Sequence, residues 1–336
     1  MKKCVILAAC CLSFLAQAND SIGFVATGGV EYIKNDKIAM QSEDLFISQG
    51  QIKVAYQYKN LTDKEITETV LFPLPAVIAN SDSDFADTKA LLDSFKIWSD
   101  GKEIKPETHL RAFIYTTNER EEDGGESELI SHDVTEVLQA CGISAEEMQD
   151  SWTRKFNGEV EKKILTCNDP RLAKFNLPKP NEDTSSFVWG SQIIYSWQQT
   201  FKANGLTEVK HQYQPLVGGT LSLPDPKEHY FDQFGKFYCF DKSFKKAVVK
   251  HWGEYGLPYK ELGYILTSGA NWAKPIEDFT LTVERNKDEI VSFCWDSASQ
   301  INKIKDDGKV VQFQVKEKNL LPKQDLAVIF VPIKSE

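Results

Sequence analysis

Two pairs of residues carry the side chains best suited to chemistry. His211 and Tyr213 stand two apart in an alternating stretch, so both project from one face of a strand. An imidazole beside a phenol could hold a ligand or move a proton. It could equally be a hydrogen-bonded pair near a sheet edge, because no acid or nucleophile accompanies it in the sequence. Gly269-Ala270-Asn271-Trp272 lies between two strand-like runs. Asn tolerates left-handed turn geometry, and the small residues permit close backbone approach. Trp272 on such a turn could stack on a sugar or a proline, or it could cover the sheet end and give its indole N–H to a carbonyl. Trp272, Asn271, His211 and Tyr213 are therefore the candidate ligand-binding residues.

Other motifs are thinner. Asp82-Ser83-Asp84, with Asp87, supplies oxygens for Ca²⁺ but lacks the glycine and distal glutamate of a full calcium loop. The acidic run at 119–128 could attract a cation or a basic partner, although such runs are commonly solvated faces. Ser243-Phe244-Lys245-Lys246 fits a Ser-x-x-Lys spacing without its companion motifs, and Ser243 suits the first turn of a helix. No His-Glu-x-x-His, Gly-x-Ser-x-Gly or phosphate-cradling glycine loop occurs. No catalytic residue, metal site or cofactor is assigned. A pair of carboxylates brought together only by folding stays open as a hydrolytic alternative.

The N-terminus carries Lys2 and Lys3, an apolar run from Cys4 to Leu15, and Ala16-Gln17-Ala18. That is the anatomy of a cleavable signal peptide, too short to span a bilayer as a stable helix, with the cut placed after Ala18. Leu7-Ala8-Ala9-Cys10 also resembles a lipoprotein box, but the apolar stretch before it is shorter than the ~7–15 residues of a signal core. No later segment has the length and apolarity of a transmembrane helix. Cleavage would leave four of the seven cysteines, namely Cys141, Cys167, Cys239 and Cys294. An even set in an exported chain suggests two disulfides. Three pairings are open; Cys141–Cys167 and Cys239–Cys294 are favoured because each closes a loop within one region.

The elements that must position these residues read as mainly β. Gln51 to Lys59 alternates with period two, Glu65 to Leu71 forms a second strand, and Phe72-Pro73-Leu74-Pro75 is expected to end it. Asp100-Gly101 between short runs predicts a hairpin. Asp133 to Glu136 fits a helical capping box, and Ser144 to Glu147 opens a second helix toward Phe156. Val188 to Ala203 and Leu206 to Leu216 are strands, Asp241 to Trp252 has helical spacing, and short strands close the chain. The expected architecture is two antiparallel β-sandwich-like domains with a small helical insert. Their bounds are a signal peptide over 1–18, an N-terminal domain over 19–117, an acidic loop and helical insert over 118–165, and a C-terminal domain over 166–336. Apolar residues make up 41% of the chain, enough for real cores. The net charge of −10 becomes −12 once Lys2 and Lys3 are lost with no acid. Such a surface repels phosphate backbones and disfavours nucleic acid as a partner.

Several runs are specific enough to suggest a relationship. Asn19-Asp20-Ser21, Thr27-Gly28-Gly29-Val30, Ile38 to Ser48, Tyr58 to Lys64, Phe72-Pro73-Leu74-Pro75, His211 to Gly219, Leu262 to Trp272, Pro275-Ile276 and Val291 to Cys294 resemble the bacterial proteins of the domain of unknown function 4424 family. The likeness covers nearly the whole chain after residue 18 and is weakest at about 118–165. It implies an exported bacterial protein without an established activity. The strand, Pro and Asp-Gly pattern from Asn60 to Ile104 also looks like the vault/inter-α-trypsin type of sandwich, a likeness of fold alone. The expectation is a periplasmic or secreted, non-enzymatic binding protein whose partner is a protein, peptide or glycan of the cell envelope. The alternatives are an envelope-polymer hydrolase and a structural subunit of an envelope assembly.

Overall fold

The computed structural model describes residues 20–26, 29–79, 88–118, 128–179, 182–295, 297 and 299–333. The signal-like segment, the Asp82-Ser83-Asp84 motif with Asp87, and all but the last residue of the acidic run at 119–128 lie outside them. The chain begins with strands β1 (Ser21–Ala26) and β2 (Gly29–Tyr32), followed by β3 (Ile38–Ile47), β4 (Ile52–Asn60) and β5 (Ile66–Ile78). Helix α1 (Thr88–Ser94) leads into the hairpin of β6 (Lys96–Ser99) and β7 (Lys102–Ile104), then β8 (Glu107–Asn118) and β9 (Glu128–Asp133). Four short helices come next: α2 (Thr135–Ala140), α3 (Ala145–Met148), α4 (Asp150–Thr153) and α5 (Glu159–Thr166). Strands β10 (Val188–Phe201), β11 (Leu206–Tyr213) and β12 (Gly218–Thr220) precede helices α6 (His229–Phe237) and α7 (Lys242–His251). Strands β13 (Tyr259–Tyr264), β14 (Ile276–Asn286), β15 (Glu289–Phe293), β16 (Asn302–Asp306), β17 (Val310–Leu320) and β18 (Leu326–Pro332) complete the chain.

The strands form three sheets. A six-stranded sheet runs β2-β1-β5-β10-β8-β9, an eight-stranded sheet runs β16-β17-β14-β3-β4-β11-β6-β7, and a four-stranded sheet runs β12-β13-β18-β15. Pairing is antiparallel except between β14 and β3. Both large sheets draw strands from either side of residue 117. The inner faces of the two large sheets share one core. Val70, Phe72, Ile193 and Trp197 come from the six-stranded sheet, and Leu45, Val54, Tyr56, Val209 and Leu281 from the eight-stranded one. The other face of the six-stranded sheet is covered by α2 to α5 through Leu138, Met148, Val160 and Ile164 against Ala112, Ile114 and Trp189. This explains why nearly every residue from Trp189 to Trp197 is buried: β10 has a core on each side. Helices α6 and α7 cover the four-stranded sheet through Phe231, Phe244 and Val248 against Tyr259, Ile329 and Val331. The result is a mainly β, sandwich-like molecule with a curled eight-stranded sheet.

Local rules account for most boundaries. Asp100 and Gly101 both take positive φ, as a tight hairpin turn requires. A helix does open after Ser144, and there Ser144 and Glu147 form a reciprocal capping box. At α2 the expected box is absent: Asp133 instead accepts the Thr135 N–H and hydroxyl, each within 2.9 Å. Strand β5 departs further from expectation, because it continues through Pro73 and Pro75 to Ile78. The neighbour on one side, β1, pairs only with Val70 and Leu71, so beyond Leu71 that edge needs no donor. On the other side the ladder to β10 shifts register between Gln192 and Ile194, and the Gln192 side chain donates to the Leu74 carbonyl at 2.9 Å. The bulge thus carries the ladder past residues that have no N–H to give, and the side-chain amide serves the Leu74 carbonyl between them. The four cysteines stand in two pairs. Cys141–Cys167, with Cα atoms 5.7 Å apart, ties the C-terminus of α2 to that of α5, and Cys239–Cys294, 4.9 Å apart, ties the α6–α7 turn to the end of β15.

Candidate functional site

Three of the four residues singled out by type, His211, Asn271 and Trp272, converge on the start of β1, while the Tyr213 ring packs against Phe72 and Phe95. Asp20 is wholly buried between the two large sheets. His211, on the core face of β11, brings Nε2 to 2.9 Å from Asp20 Oδ1, with both side chains 0% exposed. The approach is too oblique for a well-formed hydrogen bond. Tyr58 donates its phenol proton to Asp20 Oδ2 at 3.0 Å, and Trp272 Nε1 donates to the Asp20 carbonyl at 3.2 Å. Asn271 Nδ2 donates to Ser21 Oγ at 3.1 Å. Tyr213 lies on the same strand face as His211, 3% exposed, and its hydroxyl finds no hydrogen-bond partner among the described residues.

Aromatic rings close this knot from every side. Phe72 stacks on the His211 ring at 4.8 Å, Trp197 and Tyr56 meet it edge-on at 5.5 and 5.7 Å, and Tyr58 lies 4.5 Å from Trp272. Tyr56 and Tyr264 share a hydroxyl contact of 3.1 Å. Burial, then the nearby Asp20 and Glu43 carboxyls, push the Tyr58 phenol well above its ordinary range. Burial, then Tyr264, do the same for Tyr56. These phenols stay protonated and act as hydrogen-bond donors. A histidine and a carboxylate at this distance have the makings of an acid–base pair, but no solvent path reaches either side chain. What the arrangement does is hold β1 down: the residue entering the strand is gripped by β4, β11 and the turn before β14.

The outer face of the eight-stranded sheet is different. Among the described residues no helix covers it, and the sheet's curl makes it a groove of about 490 Å³. Residues alternate in and out, so on each strand the neighbours of core residues lie on this outer face. Two rows follow from the register. One runs Trp98, Lys210, Ala55, Asp44, Thr280 and Lys316; the other runs Lys96, Gln212, Lys53, Phe46, Thr282 and Gln314. Gln314 Nε2 donates to Thr282 Oγ1 at 3.1 Å, and Gln312 Nε2 to Glu284 Oε2 at 2.7 Å, which fixes both amides. Each amide keeps an oxygen and a second N–H proton as hydrogen-bonding capacity. Lys53 Nζ lies 5.9 Å from the Phe46 ring centre. The surrounding side chains strip water from Asp44 and raise its pKa, with Lys316 opposing the shift.

His211 belongs to both places. Its ring grips Asp20 in the core, while the residue itself lies along the floor of the groove. Sequence reading missed the groove because Lys53, Gln212, Gln312 and Gln314 are the residues expected on any wetted strand face. The period-two alternation did assign them outward; the signal lacking was the curl, which depends on how eight strands pack.

Comparison with solved structures gives low similarity. The crystal structure of a "putative nutrient binding protein" from Legionella pneumophila aligns with a TM-score of 0.39 and 12% identity, over 93% of this chain and 72% of that one. Yeast LTA4 hydrolase aligns at 0.25 and 12% identity, over 91% of this chain and 31% of that one. Baculovirus P35 aligns at 0.19 and 10% identity, over 89% and 98% respectively. At these scores none carries an argument about this chain. No curated protein matches the sequence. The family model described as Domain of unknown function (DUF4424) matches residues 18–329, nearly the whole length over which the sequence motifs suggested it, and the chain belongs to that family.

Proposed function

We propose that this chain is an extracytoplasmic binding protein whose ligand lies in the groove on the open face of the eight-stranded sheet. The observation that carries the reading is that groove, the uncovered concave face lined by fixed amides, hydroxyls, charges and two aromatic rings. Its volume falls within the range of ordinary ligand sites, about 300–1,000 Å³. The signal-like N-terminal sequence and the two cysteine pairs support a place outside the cytoplasm. Trp272, Asn271, His211 and Tyr213 serve, in this reading, to fix β1 and the floor from behind. The sealed position of His211 and Asp20 weighs against the hydrolytic alternative, since substrate and water must reach an acid–base pair.

A thermal-shift screen of small polar compounds and oligomers tests this. A ligand present at about 100 times its Kd stabilises the fold by ~2.7 kcal/mol, enough to raise Tm visibly. At least one compound should raise Tm in the native chain and lose that effect in Gln212→Ala and Gln314→Ala. Hits that survive both substitutions would place binding elsewhere and defeat the proposal.

A further inference from the structure

We propose that the groove takes an acidic oligosaccharide, a chain of sugar rings bearing carboxylates. This deepens the reading of the groove as the ligand site and rests on it. Three observations support the class. The first is shape. The row from Trp98 to Lys316 crosses six hydrogen-bonded strands, about 24 Å of curved floor at ~4.8 Å per strand. That arc is the wall of the groove, so side chains from Trp98 on β6 round to Gln314 on β17 surround a chain lying along it.

The second is hydrogen-bonding chemistry. The floor is the face of a sheet whose backbone groups are engaged in their ladders, so it offers a ligand side chains only. An extended peptide is ordinarily held through free backbone groups at a sheet edge. Here the available groups are the amides of Gln212, Gln312 and Gln314 and the hydroxyl of Thr282, beside the ring faces of Phe46 and Trp98. Amides that both donate and accept suit vicinal hydroxyls, and an aromatic face suits the apolar C–H face of a sugar ring.

The third is charge. Across the whole chain acids outnumber bases, 49 to 39. In the groove the balance reverses: Lys53 and Lys210 accompany Asp44. Lys210 is already paired with Glu208 at 2.7 Å. Lys53, in the middle of the floor, makes no ion pair among the described residues. A cation left unneutralised there complements a carboxylate on the ligand.

The experiment is isothermal titration of the full exported chain with short oligomers of galacturonic, mannuronic and glucuronic acids, against neutral gluco-oligosaccharides and oligo-glutamate. At least one uronate should bind. Its affinity should fall about tenfold or more in Trp98→Ala and about fivefold or more in Lys53→Gln, and it should weaken as salt rises from about 0.05 to about 0.5 M. Lys53 is exposed, so Lys53→Gln tests the claim even if Trp98→Ala folds poorly. Neutral oligomers that bind equally well, with no effect of salt or Lys53→Gln, would overturn the acidic class and leave the groove as the site. Oligo-glutamate binding without any uronate would overturn the carbohydrate class in the same way. If no probe binds and the thermal-shift screen gives no groove-sensitive hit, both readings fall.

Discussion

Asp20 and His211 are charged or chargeable groups sealed in a core, and their value lies in each other. Removing one partner leaves the other buried with one polar neighbour fewer, which costs about 1–3 kcal/mol. Asp20→Ala and His211→Ala should each lower unfolding free energy by that amount in urea titrations. The double variant should cost less than the sum, because the second change removes the orphan that the first creates. Trp272→Phe keeps most of the packing but leaves the Asp20 carbonyl without the indole donor, a loss of about 1–3 kcal/mol. The sequence did direct attention to His211 and Trp272, because rare polar-aromatic residues in apolar strands need a reason. It could not say which reason. Their common partner, Asp20, lies some 190 positions earlier than His211 and beside a segment that reads as a leader, so the link exists only after β1 docks. The groove residues pose the converse problem. Lys53 and Gln212 look ordinary on their own strands, and only adjacency across the ladder makes them neighbours.

At the scale of elements, close approaches of backbone set the tightest limits. A Cβ on Gly190 in β10 would stand 2.4 Å from the Val77 carbonyl oxygen on β5. Gly190→Ala must therefore push the two strands apart where they bridge both cores. We expect a loss of about 1–3 kcal/mol, seen as a lower midpoint in thermal or urea unfolding. The β16–β17 hairpin illustrates a different control. Asp307 accepts the N–H groups of Lys309 and Val310, each at 2.9 Å, and pairs with Lys305 at 3.1 Å. These contacts hold its pKa at about 2, below the ordinary 3.8. A depressed carboxylate pKa contributes stability that is complete above the unfolded value and is lost as pH falls through the folded value. Acid unfolding between about pH 4 and pH 2 should therefore be less steep in Asp307→Asn than in the native chain, with the two curves running parallel above that window. Period-two patterning made most strands legible, including β4, β10 and β11. It failed at β5, where prolines looked like a stop; the bulge and the Gln192 amide that admit them are tertiary facts.

Over the whole molecule, the two cysteine pairs close loops with sequence separations of 26 and 55. Each should contribute about 2–4 kcal/mol, somewhat more for the longer loop. Cys141→Ser with Cys167→Ser should loosen the helical insert first, detectable as faster amide exchange in α2 to α5. Cys239→Ser with Cys294→Ser should do the same for α6 and α7, and both losses should be reproduced by reductant on the native chain. A contrary result, with exchange unchanged in both helical regions, would mean that the apolar contacts of those regions suffice without the covalent ties.

The parallel pairing of β3 with β14 carries a consequence for how such a chain comes into being. The two strands are joined directly in space but separated by more than two hundred residues of intervening sequence. Pairings of that reach are slow to form, because the chain must close a long loop before any contact rewards it. A polypeptide threaded across a membrane from its N-terminus would deliver β3 and β4 early and leave the β3 edge open. The face that lines the groove would be half built, its unpaired strand available to other chains, until the last sixty residues or so arrived. Completion of the eight-stranded sheet thus waits on β14, and until β14 docks the β3 edge is an open template for other strands.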